Sequence, residues 1–343
     1  MSNLSPVPTI DCSPGTGFTA EALAELDLAC RESGFFYLRN HGLESLIDRV
    51  WQQTRWFFAL GLDAKQSVAR SEKNSRGFYD RELTKNIRDM KEVFDFGPCA
   101  DSSLPCDDAA NHTQDGWNQW PDVAGGEEFR MVMSDYYEAC QNVGITLLQQ
   151  ITKNLEESPD HLMQDFLPSN SSFVRLNYYP LLDPLGGDAG LQRADATGHM
   201  GVHQHTDAGA LTLLLQDSVG GLQIHHNGRW IDIPPVPDTL VVNIGDIVQV
   251  WSNDQYKAAL HRVVASSRED RYSLPFFLNP KYQAYYAPLS TQVSPTQPSL
   301  YRPINWGEFR YQHQNGDYGD FGQEIQISDF RVESKHSQAG DRS

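Results

Sequence analysis

From about residue 172 the chain breaks into eight short runs of β-favouring residues: SFVRLNYY, VHQHTDA, LTLLLQ, GLQIHH, WIDIPP, TLVVNIGD, AALHRVV and YSLPFFLNP. Gly, Asn, Asp and Pro stand between them. This spacing restricts the fold more than any other feature. Parallel strands need crossovers of a dozen or more residues, usually helical, and alternating helices of that kind are absent here. Short strands joined by turns predict a closed or double-sheet all-β core, such as a jelly roll.

The first half reads differently. TAEALAELDLACRESG places Leu23, Leu26 and Cys30 on one helical face and stops at Gly34, a C-cap residue. GFFYLRNHG follows as a strand ending in a turn at His41-Gly42. LESLIDRVWQQTRWFFAL makes a second helix with Leu46, Val50 and Phe57 on its buried stripe, and EEFRMVMSDYYEACQNVGITLLQQITKNL makes the longest. Residues 97–126, between these two helices, are loop-rich. The expected organisation is one catalytic domain over 1–343. A mainly helical portion at 1–165 packs outside a jelly-roll core at 172–330, and a polar tail at 331–343 frays.

Composition narrows the partners. The net charge of −18 repels a phosphate backbone, so nucleic acid is not an expected partner. No run approaches the roughly 18–20 apolar residues that cross a bilayer, so no membrane is expected either. MSNLSPVPTIDCSPG has neither the basic start nor the apolar core of a secretory signal. Five irregularly spaced cysteines, with no CxxC, read as free thiols in a reducing cytoplasm. The oligomeric state is not legible.

The densest ligand chemistry lies in GVHQHTDAG, residues 201–209. Residues two apart on a strand face the same side, so strand parity predicts that His205 and Asp207 project together. His261, in another short apolar strand, supplies a third ligand. Two histidines and a carboxylate on one face of an ion leave the opposite positions open, which suits non-haem Fe(II) with a co-substrate and O₂. A His-x-Asp pair alone is a weak signal, but its companions strengthen it. In RYSLPFFLNP, Arg271, Ser273, Phe277 and Asn279 share a face, and an arginine fork beside a hydroxyl makes a carboxylate receptor. In RLNYYP, Asn177 and Tyr179 could reach the same acid. His203 shares the face of the ligand pair and is either a pocket residue or a rim residue. His199 drops out, because its four-residue spacing from His203 ligates only on a helix. His225-His226, before the Asn227-Gly228 turn, is expected to be exposed.

Taken together, HTD at 205–207, His261 and Arg-x-Ser at 271–273 resemble the 2-oxoglutarate- and Fe(II)-dependent dioxygenases of the isopenicillin N synthase-like group. ACRESGFFYLRNHGL, SRGFY, DMKEVFDFG, NYYP, LTLLLQD and VVNIGDIVQVWSN extend the likeness over nearly the whole chain. The resemblance implies a double-stranded β-helix (jelly-roll) core wrapped by α-helices. It implies Fe(II) on His205, Asp207 and His261, and 2-oxoglutarate held by Arg271, Ser273 and Tyr179, with Asn177 nearer the chelating end. Phe277 and Asn279 fall where family members contact substrate. Phe78, Tyr79 and Phe94 fall on pocket walls in the family layout, although core packing explains them equally well, and Tyr311 could cover the pocket.

The reaction implied is oxidative decarboxylation of 2-oxoglutarate by O₂, coupled to hydroxylation or desaturation of a small organic molecule of secondary metabolism. Aromatic residues at the expected pocket positions, with few basic ones to grip a second acid, suggest an apolar or planar substrate. Retention of Asp207 disfavours halogenation, since halogenases of the family lack that ligand. Alternatives are an oxidase of the same fold that does not consume 2-oxoglutarate, or a non-catalytic ligand-binding β-barrel. The segment 181–201 is longer than expected and is either a lid or a surface insertion.

Overall fold

The computed structural model describes residues 7–12, 18–72, 74–84, 87–98, 116–182, 200–266, 268–318 and 325–332. Strand β1 is Thr9–Asp11, and helix α1 is Ala20–Glu32. The Thr19 hydroxyl caps α1 by accepting from the Ala22 amide. Gly34, at φ 66°, closes its far end, and its amide donates to the Ala29 carbonyl. A Cβ there would lie 2.4 Å from the Lys257 carbonyl oxygen, so glycine serves both the turn and the close approach.

Strand β2 (Phe35–Arg39) and helices α2 (Glu44–Phe58) and α3 (Leu62–Gln66) follow. After them come β3 (Gly77–Tyr79), the short pair β4 (Leu83–Thr84) and β5 (Ile87–Arg88), and β6 (Glu92–Phe96). The long α4 (Gly126–Asn154) and short α5 (Pro159–Met163) lead into β7 (Phe173–Tyr179). The predicted core strands then appear as β8 (Met200–His205), β9 (Leu211–Gln216), β10 (Leu222–His226), β11 (Arg229–Asp232) and β12 (Thr239–Ile244). Helix α6 (Asp246–Trp251), β13 (His261–Val264) and β14 (Arg271–Leu278) complete the site-bearing part. A small pair, β15 (Tyr285–Tyr286) and β16 (Ile304–Asn305), precedes α7 (Trp306–Tyr318).

Eight strands form one sheet in the order β1-β2-β12-β9-β14-β7-β6-β3, and four form a second in the order β11-β10-β13-β8. The β10–β11 hairpin turns at Asn227 and Gly228, both at positive φ, as a type I′ turn requires. His225 beside it is exposed.

The first portion holds the long helices α1, α2 and α4, and it also supplies strands to the core. β1, β2, β3 and β6, four of the eight strands of the large sheet, come from before residue 97. EVFDF shows no in–out polarity because both faces of β6 are covered and all five residues are buried. One face carries Glu92 to Lys65 and Phe94 and Phe96 to the aromatic core, and on the other Asp95 meets the Arg175 and Arg70 guanidiniums. A helix at 246–251 was also not foreseen, because VVNIGDIVQVW reads as one apolar run.

Helix α4 lies across the outer face of the large sheet, where Gly144 brings it against Phe276 and Leu278 of β14. Beside it, Phe57 of α2 lies 4.4 Å from the Phe94 ring and 5.2 Å from Phe129, centroid to centroid. Phe57 is fully buried at this junction of helix and sheet. Phe57→Ala is therefore expected to cost about 3–5 kcal/mol, the usual range for emptying a buried phenylalanine site, read as a lower urea midpoint at unchanged slope.

Candidate active site

The two histidines meet across paired strands. His205 ends β8, His261 begins β13, and the two are register partners with ring centroids 4.3 Å apart. Each turns Nδ1 onto a backbone carbonyl, His205 to His203 at 2.8 Å and His261 to Ala259 at 3.0 Å. A proton held on Nδ1 by that bond leaves Nε2 as a lone-pair donor aimed inward.

Asp207 arrives by a different route from the strand parity expected of it. β8 stops at His205, so Asp207 lies in the following turn. There its backbone carbonyl accepts from the Asp246 amide at 2.8 Å, and Gly245 packs so close that a Cβ would lie 2.7 Å from that oxygen. Its carboxylate Oδ2 accepts from the Thr212 hydroxyl and from Asn243 Nδ2, and Oδ1 stands 3.6 Å from Nε2 of both histidines. One ligand atom from each of the three residues falls within 4.8 Å of the others.

The electrostatics match an ion-binding triad. Burial works against the charge on Asp207, but the imidazoles of His261 and His205 and the Asn243 amide hold its carboxyl well below the usual range. Burial, with His205 beside it, pushes His261 down to about 4, so it is neutral at physiological pH. Burial also opposes protonation of His205, yet its bond to Asp207 raises it.

Above the triad a cavity of about 590 Å³, counting its open mouth, runs between the sheets. At its far end Arg271 is fully buried. Its Nε donates to the Gly220 carbonyl, its Nη1 to Ser273 Oγ at 3.3 Å, and its guanidinium lies 4.9 Å over the Tyr179 ring. Its Nη2 has no hydrogen-bond partner, and no ion pair to it occurs among the described residues. A buried guanidinium without an acid is costly, which marks this end as a receptor for an anion. Asn177 Nδ2 reaches Ser273 Oγ at 3.5 Å, and all four of these side chains line the cavity.

Of the residues singled out for substrate, Phe277 lines the cavity and stacks on Phe173 at 4.7 Å. The others do not line it. Phe78 and Phe94 belong to the aromatic core around Phe57, because their side of the sheet faces the helices. Tyr79 packs against the Arg70 guanidinium, Tyr311 is largely exposed, and Asn279 is buried against Gly209 and bonded to the Ser171 carbonyl. His203 stands 3.4 Å from the buried Asp89. His199, the bulk of the 181–201 segment and residues 333–343 lie outside the described residues.

Four residues escaped the sequence reading: Thr212 and Asn243, which hold Asp207, and Lys91 and Arg175, which line the cavity. Thr212, Asn243 and Arg175 are polar residues inside largely apolar strands, and that was the available signal, whereas Lys91 lies just before β6. Lys91 and Arg175 correct the expectation that few basic residues face the pocket.

Two facing sheets with a His-Asp-His triad between them define a mononuclear non-haem metal enzyme of the jelly-roll class. The comparisons give the family. Residues 170–280 match the 2OG-Fe(II) oxygenase superfamily, and residues 7–123 match the N-terminal family described as non-haem dioxygenase in morphine synthesis. Homoarginine-6-hydroxylase of Glycine max is 31% identical over 307 residues, covering 84% of this chain and 90% of that one. A full-length Neurospora crassa protein in complex with alpha-KG and thymine superposes with a TM-score of 0.74 at 25% identity, covering 90% and 96%. JOX2 in complex with 2OG, Fe and JA superposes with a TM-score of 0.71 at 28% identity, covering 89% and 84%. The chain belongs to the 2OG-Fe(II) oxygenase superfamily, and is a dioxygenase that uses Fe(II) and 2-oxoglutarate. No helix among the described residues is long and apolar enough to cross a membrane.

Proposed function

We propose that His205, Asp207 and His261 hold the iron, that Arg271, Ser273 and Tyr179 receive the distal carboxylate of 2-oxoglutarate, and that Asn177 lies toward its chelating end. The unpartnered Nη2 of Arg271 carries this reading, because it offers a buried donor to an acid and none of the described residues provides one. Fe(II) bound there supplies oxygen activation, coupled to oxidative decarboxylation of 2-oxoglutarate to succinate and CO₂ and to hydroxylation or desaturation of a small molecule.

The protein's part is positioning and shielding. Thr212 and Asn243 occupy Asp207 Oδ2 and leave Oδ1 for the ion. Phe35 packs edge-on to His261 at 5.5 Å, and Phe277 walls the cavity opposite, so both exclude water. The Neurospora crassa protein holds thymine and JOX2 holds JA, which supports a small-molecule substrate here. The chain works as one catalytic unit, since N-terminal strands complete the sheet that bears Arg271. Free thiols at Cys12, Cys30 and Cys140 support a cytoplasmic setting.

The test is an anaerobic titration. Fe(II) followed by 2-oxoglutarate is expected to develop a weak visible charge-transfer band, and aeration is expected to release succinate. An iron-loaded protein that shows no band with 2-oxoglutarate overturns the assignment. A band without succinate favours the non-catalytic binding reading.

A further inference from the structure

The strand that brings His205 to the triad is not regular. Val202 and His205 both line the cavity, yet residues three apart on a regular strand face opposite sides. On β13 their partners Val263 and His261 are two apart, and both of these also line the cavity. Between the two pairs β8 therefore carries one residue more than β13, a β-bulge at His203-Gln204. Without that extra residue, an inward Val202 would leave His205 facing away from the triad. The bulge is what aims the ligand.

β8 is the outer strand of its sheet and pairs only with β13 among the described residues, so no second ladder holds the bulge in shape. A side chain does. His203 Nδ1 stands 3.4 Å from Asp89 Oδ1, and since a carboxylate only accepts, Nδ1 carries the proton. Asp89 is fully buried, and its Oδ2 lies 3.2 Å from Lys91 Nζ. Its amide donates to the Glu82 carbonyl at 2.9 Å, and its carbonyl accepts from the Lys91 amide at 3.0 Å. Lys91 leads into β6, which pairs with β7 in the large sheet. Asp89 thus braces the edge of the small sheet against the large one, and does so at the bulge. The carbonyl of the same His203 accepts from His205 Nδ1 at 2.8 Å. His203 is held by its ring and holds the ligand by its backbone.

We infer that Asp89 is a positioning residue of the metal centre: by holding His203 it fixes the bulge that aims His205 Nε2 at the ion. This rests on the iron assignment above and adds to it a residue that touches none of the three ligands. Asp89 also steadies Lys91, which lines the cavity, so the substitutions that isolate the brace are those at His203.

The test is the dissociation constant for Fe(II), measured anaerobically on the full chain without 2-oxoglutarate, beside the urea midpoint of the metal-free protein. His203→Phe keeps a ring and removes the N–H. It is expected to weaken Fe(II) binding about tenfold, the lower end of what residues supporting a metal ligand usually contribute. His203→Asn keeps a donor near the Nδ1 position and is expected to stay within about threefold of wild type. The urea midpoints of these two variants should agree, so that iron affinity and not folding separates them. Asp89→Leu should weaken binding at least as much as His203→Phe. Adding His203→Phe to it should cost no more than about a further twofold, because both remove the same link. Wild-type Fe(II) affinity in His203→Phe overturns the inference. So does an equal loss in His203→Asn, which would make the ring itself, and not its bond to Asp89, what matters. Both outcomes hold even where Asp89→Leu does not fold, and both leave the iron assignment standing. A wild-type chain that binds no Fe(II) removes that assignment, and the inference with it.

Discussion

Asp207→Ala is expected to abolish turnover, with succinate production falling by at least about a thousandfold, some 4 kcal/mol of barrier. The size follows from how the residue is held. Its Oδ1 is equidistant from Nε2 of His205 and His261, and its Oδ2 is fixed by Thr212 and Asn243. Truncation removes the only negative charge in the triad and leaves two imidazoles in close contact with nothing between them. It also leaves two buried donors without their acceptor, so the turn after β8 loses what pins it. Iron content after anaerobic reconstitution should fall together with activity, and excess Fe(II) should not restore turnover. Asn243→Leu is the graded comparison. It keeps all three ligands and loosens one, and such supporting residues usually account for 10–100-fold in metal affinity or activity. Full succinate production by Asp207→Ala would exclude it as an iron ligand.

How much of this was legible in the residues depends on which physical pattern carried the information. The β core was readable because its strands are short and separated by turn residues, and His205, His261 and Arg271 were found because they interrupt those strands with unusual chemistry. Asp207 does lie beside the two histidines, but not through strand parity. It lies beyond the end of β8, and what aims it is a tertiary arrangement of Thr212, Asn243 and the Gly245-Asp246 backbone. β6 was not read as a strand because burial on both faces erases alternation, and with it went the cavity-side position of Lys91 just before its start. Phe78 and Phe94 show the converse. Aromatic side chains near a site look the same in sequence whether they face a ligand or a helix, and only the pairing of β3 with β6 and the packing of Phe57 decide.

Arg271→Met should raise the dissociation constant for 2-oxoglutarate by about 150-fold to 5,000-fold, the roughly 3–5 kcal/mol that breaking one side of a buried charge pair costs. Methionine replaces the length of the side chain and can still pack on Tyr179, so loss of the fork dominates over loss of volume. Iron affinity should hardly change, because Arg271 touches none of the triad. The probe that separates recognition from damage is 2-oxopentanoate, which keeps the 2-oxo acid head and lacks the distal carboxylate. If Arg271 acts on that carboxylate, wild type and variant should bind 2-oxopentanoate alike, and only the diacid should distinguish them. Arg271→Lys keeps the charge but not the planar two-point geometry, so its loss should fall between. Ser273→Ala removes one hydroxyl, bonded to Arg271 Nη1 and to Asn177, and should cost less than either. A variant that binds both acids equally weakly would mean that the guanidinium shapes the cavity instead of reading the carboxylate.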